Sequence, residues 1–380
     1  MSSSNKSQDS KTTDAAEKLM KEEKLWKEIR GDFDRPQVPV SFDYSVEEVS
    51  FRNTTDNILL SGTLSVPKGS DPFKCVILLP GSLQADRDGE NPNRIEKSPH
   101  KYLLVLSDYL SKNGIATFRY DKRGCGESEG NYNEITINNL AEDGVFAFEF
   151  LSKNPKLSHL GVAGHSEGGL IAPIIVNKSK HSSFIISMAA PSLPLIKVCV
   201  DQKHQQYIDT GISKDGVHLL NETDSDLLQA TIDLPDTDEL IKKIQEISER
   251  YKQLSKKDLR ILCWDGTEKV VKETLDELTA PYFRSSLLHN SFKELEKIRI
   301  PYLAIHGTND QLVRVENLHE IKSVMENSGN TNYTIHEFNN LNHGFQTCKT
   351  DDPLETERCE ESFNEDAMEL IANWILEKSM

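Results

Sequence analysis

The pentapeptide Gly164–Gly168 reads Gly-His-Ser-Glu-Gly, with Ser166 at its centre. It follows a short apolar run typical of a strand and precedes a stretch with helical spacing. In that context the pattern Gly-x-Ser-x-Gly predicts a sharp strand-to-helix turn that exposes the serine hydroxyl. Glycines on both sides are needed because side chains there would strike the neighbouring strand and helix. Ser166 is therefore the candidate nucleophile.

A serine hydroxyl needs a base to remove its proton and an acid to orient that base. Asp310 and His343 follow Ser166 in that order, each in a loop just after a strand-like run. The carboxyl ends of parallel strands meet at one edge of a sheet, so these side chains are expected to converge. We predict a catalytic triad of Ser166, Asp310 and His343. Glu337 is a nearby alternative acid, and His336 is expected to be structural.

An oxyanion that forms on a substrate carbonyl would be held by two backbone N–H groups. One is expected from Glu167, the residue after the nucleophile. The other is expected from the loop after the apolar run Cys75–Leu79, where Ser82 is the first choice and Leu83 the second. The helix that begins behind Ser166 would also favour negative charge at this point.

These residues must be positioned by an alternation of strand-like and helical segments that begins near residue 45. Such alternation implies right-handed crossovers and a doubly wound, mostly parallel sheet. Strands are expected at 46–51, 58–66, 75–79, 115–120, 160–163, 184–188, 302–306 and 333–338, and helices at 102–110, 137–151, 169–176, 318–325 and 363–376.

The alternation breaks at Pro191 and resumes near residue 299. The intervening segment is charged, largely helical and too long for a loop, so it predicts a cap over the sheet. The expected organisation is a polar N-terminal tail at 1–44 with a helix over 14–30, a first core part at 45–191, a helical cap at 192–298 and a second core part at 299–380.

The loop 121–128 contains two glycines but lacks the Gly-Lys-Ser/Thr sequence of a phosphate-binding loop. We therefore interpret Asp121 and Arg123 as residues that brace this loop by hydrogen bonds. The segment Asp86–Asp88 is also rich in charged residues, and it is expected either to line the pocket entrance or to form a solvated loop.

Several of these motifs together resemble the carboxylesterases of the serine-aminopeptidase-like branch of the α/β-hydrolases, whose best-known members are bacterial esterases. The resemblance covers roughly residues 45–378, and it rests on the segments 80–82, 86–89, 119–124, 164–169, 280–284, 307–310 and 342–346. It implies an α/β-hydrolase fold and a serine esterase that needs no metal and no cofactor, with Ser166, Asp310 and His343 as the triad. Pro80 stands where many α/β-hydrolases have histidine, and the segment 1–44 has no counterpart.

The composition excludes several other classes. The chain has 380 residues, with 61 acidic against 44 basic side chains and a net charge of -17, which disfavours nucleic acids and anionic membranes as partners. No run is long and apolar enough for a membrane span, and the N-terminus lacks a secretory pattern. The six cysteines form no Cys-x-x-Cys pair and do not have the spacing of zinc ligands, so free thiols and a cytoplasmic location are expected.

Other activities fit the same three residues. Aminopeptidase or acyl-peptide hydrolysis would require an acidic residue in the cleft to bind a substrate amine, with Asp224 and Asp226 among the candidates. Thioester hydrolysis needs no further group. A non-catalytic receptor that binds a small ligand is the alternative from another class, although such proteins usually lose triad members. The expected partner is a small-molecule ester, and the sequence does not indicate an oligomeric state.

Overall fold

The computed structural model describes residues 34–70, 72–91, 100–235, 237–262, 267–348 and 353–378. Within these residues, eight strands form one sheet: β1 (Ser45–Asn53), β2 (Ile58–Val66), β3 (Phe73–Leu79), β4 (Ala116–Tyr120), β5 (Leu157–His165), β6 (Phe184–Met188), β7 (Tyr302–Gly307) and β8 (Tyr333–Phe338). Thirteen α-helices accompany them in the same ranges: α1 (Tyr102–Lys112), α2 (Ile137–Leu151), α3 (Glu167–Lys178), α4 (Leu195–Asp209), α5 (Lys214–Asp233), α6 (Thr237–Arg250), α7 (Lys256–Ile261), α8 (Glu268–Thr279), α9 (Pro281–Leu287), α10 (Ser291–Leu295), α11 (Glu316–Asn327), α12 (Pro353–Arg358) and α13 (Glu365–Lys378).

The strand order is β1-β2-β4-β3-β5-β6-β7-β8, in which β1, β2 and β4 pair antiparallel and every other pair is parallel. In the sheet, β4 lies on one side of β3 and β5 lies on its other side. The direction in which the chain adds strands therefore changes between β3 and β5. Ligands collect at such a switch point in open α/β sheets. Leu79 pairs with Gly164 there, so the loops that follow β3 and β5 begin side by side. The predicted doubly wound sheet is confirmed.

Alternate residues of the central strands are buried on opposite faces of the sheet, because successive side chains in a strand point in opposite directions. Cys75 and Ile77 lie in one apolar cluster with α2, α3 and α11, whereas Val76 lies in the other with α1 and α13. A strand covered on both faces needs a continuous apolar run, and that run made these strands recognisable in the sequence.

Seven of the described helices, α4 to α10, lie between β6 and β7 and form the cap. The cap has an apolar cluster of its own, to which α6 contributes Leu240, Ile244 and Ile247 at helical spacing. Its last residues, Leu295 and Ile298, are buried in the core cluster instead. A second apolar cluster also lies within the cap, so the cap has its own apolar packing and joins the core cluster near its end.

The described part of the N-terminal segment, from residue 34 onward, lies against the core. The Gln37 side chain donates to Phe363 O at 2.8 Å and accepts from the Ser362 and Phe363 N–H groups. The Tyr44 hydroxyl donates to Asp108 at 2.9 Å. The helix predicted over 14–30 lies outside the described residues.

Two further observations bear on the sequence expectations. Among the helices described, none has the length and apolar character that crossing a bilayer requires. No disulfide joins the five cysteines that the structure describes, and Cys263 lies outside the described residues.

Candidate active site

Ser166 lies on a strained turn between β5 and α3. Its backbone has φ 53° and ψ -115°, a conformation that non-glycine residues adopt rarely and at a cost. Its N–H donates to Met188 O at 2.8 Å, which ties the turn to β6. A Cβ on Gly164 would lie 2.1 Å from the Gly168 carbonyl, and one on Gly168 would lie 2.7 Å from Leu79 O. The two glycines are thus required by close backbone contacts, as expected for this turn.

Asp310 and His343 are brought together at the carboxyl ends of β7 and β8. The distance from His343 Nδ1 to Asp310 Oδ2 is 2.8 Å. Asp310 Oδ1 accepts the backbone N–H groups of Leu312 and Val313 at 3.0 and 2.8 Å. Burial alone would raise the pKa of Asp310, but electrostatic attraction and side-chain hydrogen bonds from His343 and His306 hold it well below its usual value. Asp310 is therefore an ionised partner that holds the proton of His343 on Nδ1.

His306 is a second histidine beside Asp310, and it is not one of the residues predicted from the sequence. It is fully buried in β7, four residues before Asp310, and its Nε2 lies 3.2 Å from Asp310 Oδ2. The same nitrogen bonds Val313 O at 2.5 Å, so it is the protonated one. The signal available in the sequence was a histidine within an otherwise apolar strand, close to the candidate acid.

His165 connects the nucleophile turn to the loop of His343. Its Nε2 lies 2.8 Å from the His343 carbonyl oxygen, and the two rings are 4.8 Å apart at their centres. Burial, with the nearby His343, lowers the pKa of His165 to about 3, so the ring is neutral and Nε2–H is the donor. Since His165 directly precedes Ser166, this bond ties the loop of His343 to the Ser166 turn.

The loop after β3, residues 81–83, lies against Ser166 and is called the oxyanion loop below. A Cβ on Gly81 would lie 3.5 Å from Ser166 Cβ. The backbone N–H groups of Ser82 and Leu83 donate to no acceptor in the described part of the chain. Leu83 has φ 72°, in the left-handed region. Both predicted donors of this loop are thus near the nucleophile and unpaired.

The remaining candidates have other roles. Asp121 accepts the Arg87 backbone N–H and guanidinium, and Arg123 pairs with Asp143, so both brace their loops. Glu337 bonds His319 at the surface and not His343.

The two acids considered for amine binding lie outside the cavity described below. Asp224 is buried and pairs with Lys203 and Tyr207. Asp226 pairs with Arg250. Neither carboxylate is among the residues that line the cavity at Ser166.

A cavity of about 680 Å³ opens above Ser166, between the core and the cap. Its lining is mostly apolar, and it contains two exposed carboxylates on α8, Asp276 and Glu277, but neither lysine nor arginine among the described residues. The core contributes Ser82, Leu83, Tyr132, Asn133, Ser166, Glu167, Leu170, Pro191 and Val313, and the cap contributes Leu195, Val198, Cys199, Gln202, Asp276, Glu277, Thr279, Ala280, Pro281, Tyr282, Phe283 and Ser286. Among the described residues, no three His, Cys, Asp or Glu side chains are grouped so as to hold a metal ion.

Two parts of the chain match models of known hydrolase families. The serine aminopeptidase S33 family model matches residues 98–208, and the dienelactone hydrolase family model matches residues 261–377. Esterase EstD of Thermotoga maritima is 32% identical over 145 residues, which are 38% of this chain and 33% of EstD. The match thus spans about a third of that relative's length.

Solved structures share the fold over most of the chain. An esterase of Pyrococcus furiosus has a TM-score of 0.55 at 20% identity and covers 92% of this chain and 96% of its own. Est1E of Butyrivibrio proteoclasticus, solved with ferulic acid, has a TM-score of 0.51 at 17% identity, covering 87% and 98%. A proline iminopeptidase of Mycobacterium smegmatis has a TM-score of 0.51 at 12% identity, covering 88% and 99%.

The chain has the α/β-hydrolase fold. Both matching families are hydrolase families, and the fold predicted from the resemblance is confirmed.

Proposed function

We propose that this α/β-hydrolase cleaves carboxylic esters through an acyl-enzyme intermediate on Ser166. The observation that carries the proposal is the 2.8 Å bond between ionised Asp310 and His343, held by His165 beside the strained Ser166 turn at an apolar cavity. Such strain is stored where a catalytic group must be presented in one orientation. The similarity to EstD, whose name says esterase, supports the same reaction class.

In this mechanism Ser166 Oγ attacks the ester carbonyl while His343 Nε2 takes its proton. Asp310 keeps the other proton on Nδ1 and stabilises the imidazolium. The oxyanion accepts hydrogen bonds from the Ser82 and Glu167 N–H groups. His343 then protonates the leaving alcohol, and later activates the water that releases the acid.

The cavity favours neutral substrates with an apolar acyl or aryl group. A volume of about 680 Å³ is in the range of sites for drug-sized ligands. Because the lining holds carboxylates and no described lysine or arginine, it offers an anionic substrate no counter-charge. The expected partner remains a small-molecule ester, and a cytoplasmic location remains a prediction.

The test is a panel of p-nitrophenyl esters from acetate to octanoate, with wild type, Ser166→Ala and His343→Ala. Wild type should turn over these esters, and each variant should lose a factor of about 10⁴–10⁶ in kcat. Unchanged turnover by folded Ser166→Ala would contradict the proposal.

A second candidate is hydrolysis of amides that carry a free amine. The observation that favours it is Glu277 in the cavity lining, since a carboxylate there would attract a substrate ammonium group. Amino-acid p-nitroanilides measured beside the ester panel separate the two activities, and a higher kcat/KM for the anilides would favour the second.

A further inference from the structure

Lys122 binds the oxyanion loop through the carbonyl oxygens of that loop. It follows β4, and its side chain is 6% exposed. Its ammonium group lies 2.5 Å from Gly81 O, 3.2 Å from Leu83 O and 2.5 Å from Glu167 Oε1. A lysine has three N–H donors, so these three acceptors use all of them.

The bond to Gly81 O decides the direction of an N–H group. The Gly81 carbonyl and the Ser82 N–H belong to one planar trans peptide, in which they point in opposite directions. While Lys122 holds the carbonyl, the Ser82 N–H therefore points away from Lys122. Rotation of this peptide would withdraw Ser82 as a donor. The peptide between Ser82 and Leu83 has no such bond from Lys122, so Ser82 is the donor whose orientation is fixed.

The Glu167 side chain, which binds Lys122, also binds a residue of the cap. Glu167 Oε2 accepts the hydroxyl of Tyr282, which lies in α9 and lines the cavity. The Glu167 side chain is 1% exposed. Burial, together with the Glu167 charge, raises the pKa of Tyr282 well above its ordinary value. Glu167 thus offers its backbone N–H to the reaction and joins Lys122 to the cap through its side chain.

We propose that Lys122, Glu167 and Tyr282 form a buried link through which the position of the cap on the core sets the orientation of the Ser82 N–H. Lys122 is the residue that positions this N–H. The link rests on the proposed ester hydrolysis, because an oriented N–H matters only if an oxyanion forms. Its effect falls on the transition state: it should change kcat and leave KM nearly constant.

Tyr282→Phe tests the link with a change of one hydroxyl. Tyr207→Phe is the matched control, because the Tyr207 hydroxyl bonds the buried Asp224 carboxylate at 2.7 Å within the cap and lies outside the cavity lining. We measure kcat and KM for p-nitrophenyl butyrate, the rate of modification by a fluorophosphonate, and Tm. Tyr282→Phe should lower kcat and the modification rate by about tenfold, with KM within about twofold. Tyr207→Phe should lower Tm comparably and leave kcat within about twofold.

A second variant removes the positioning group without leaving an unpaired buried charge. In Lys122→Met with Glu167→Gln both partners are neutral and of similar size, so folding is retained. Its kcat should fall by about 10²-fold, the effect of losing one oxyanion donor. If wild type is active while Tyr282→Phe matches Tyr207→Phe and the folded double variant keeps its kcat within about threefold, the link is refuted. If wild type neither hydrolyses esters nor reacts with the fluorophosphonate, the proposed function itself fails.

Discussion

Replacing Asp310 by asparagine separates the charge of this side chain from its shape. Asp310 Oδ1 accepts two backbone N–H groups, so the amide oxygen of an asparagine must occupy that position. Its NH₂ group then faces His343 Nδ1, where Asp310 Oδ2 lies at 2.8 Å. Because an amide NH₂ only donates, His343 must carry its lone pair on Nδ1 and its proton on Nε2. That proton occupies the nitrogen that should accept the proton of Ser166.

The expected loss follows from this wrong tautomer. A comparable exchange in a serine protease lowers kcat by about 10⁴, which corresponds to about 5.5 kcal/mol in transition-state stabilisation. We expect a similar loss of kcat/KM for Asp310→Asn at neutral pH, with KM changed much less. The assay is steady-state hydrolysis of p-nitrophenyl butyrate, with circular dichroism to show that the variant is folded.

The matched control is Glu337→Gln, which removes a carboxylate that is bonded to the surface residue His319 at 2.8 Å. This variant should keep wild-type kcat/KM. A loss below about tenfold in folded Asp310→Asn would refute the role assigned to Asp310, and an equal loss in both variants would show that the effect is not specific to the site.

Three further predictions concern the turn, the pH dependence and the cavity. Gly164→Ala should lower the free energy of unfolding by about 3 kcal/mol or more, because its Cβ would lie 2.1 Å from backbone atoms. Gly81→Ala should lower it by less than about 1 kcal/mol, because the nearest atom to its Cβ would be 3.3 Å away. Urea unfolding measures both values. Burial raises the pKa of Glu90 from 4.5 to about 7, so its contribution to stability is complete below pH 4.5 and is lost as pH rises through 7. Glu90→Gln should therefore raise the free energy of unfolding at about pH 8 by on the order of 1–2 kcal/mol and flatten its pH dependence, and no change at that pH would contradict this. Because the cavity carboxylates should repel an anionic substrate, a p-nitrophenyl monoester of succinate should have a kcat/KM at least about tenfold below that of the butyrate ester. Glu277→Gln should reduce this difference in kcat/KM. Equal kcat/KM values of wild type for the two esters would contradict the expected repulsion.

Much of the fold follows from local patterns in the sequence. The central strands are covered on both faces, so they needed continuous apolar runs, and those runs were recognised. The strand β5 begins at Leu157, earlier than the predicted residue 160, because Leu157 and the polar Ser158 also pair with β3, ahead of an irregularity in the pairing. The pattern around Ser166 indicated its turn because only glycines fit the close backbone contacts.

The residues that support the site were not predictable in the same way. Lys122 and Glu167 are 45 positions apart, and Glu167 and Tyr282 are 115 apart, so their contacts exist only after the sheet and cap are assembled. The partner of His165 lies 178 positions away, so no neighbouring residue indicated its role. His306 lies only four residues before Asp310, and its position in an apolar strand was the one signal that could have identified it. Asp224 and Asp226 were two examples of the many carboxylates of the cap, among which the sequence offered no basis for a choice, and the cavity is lined by Asp276 and Glu277 instead.

The central claim is that Ser166 is a nucleophile activated by its surroundings. Its most direct test is reaction of the folded protein with a fluorophosphonate, followed by mass spectrometry of the labelled peptide. The account predicts one adduct, on Ser166, which disappears in Ser166→Ala and is slowed by about 10³-fold or more in His343→Ala. An adduct on another residue, or no adduct on folded wild-type protein, would contradict it.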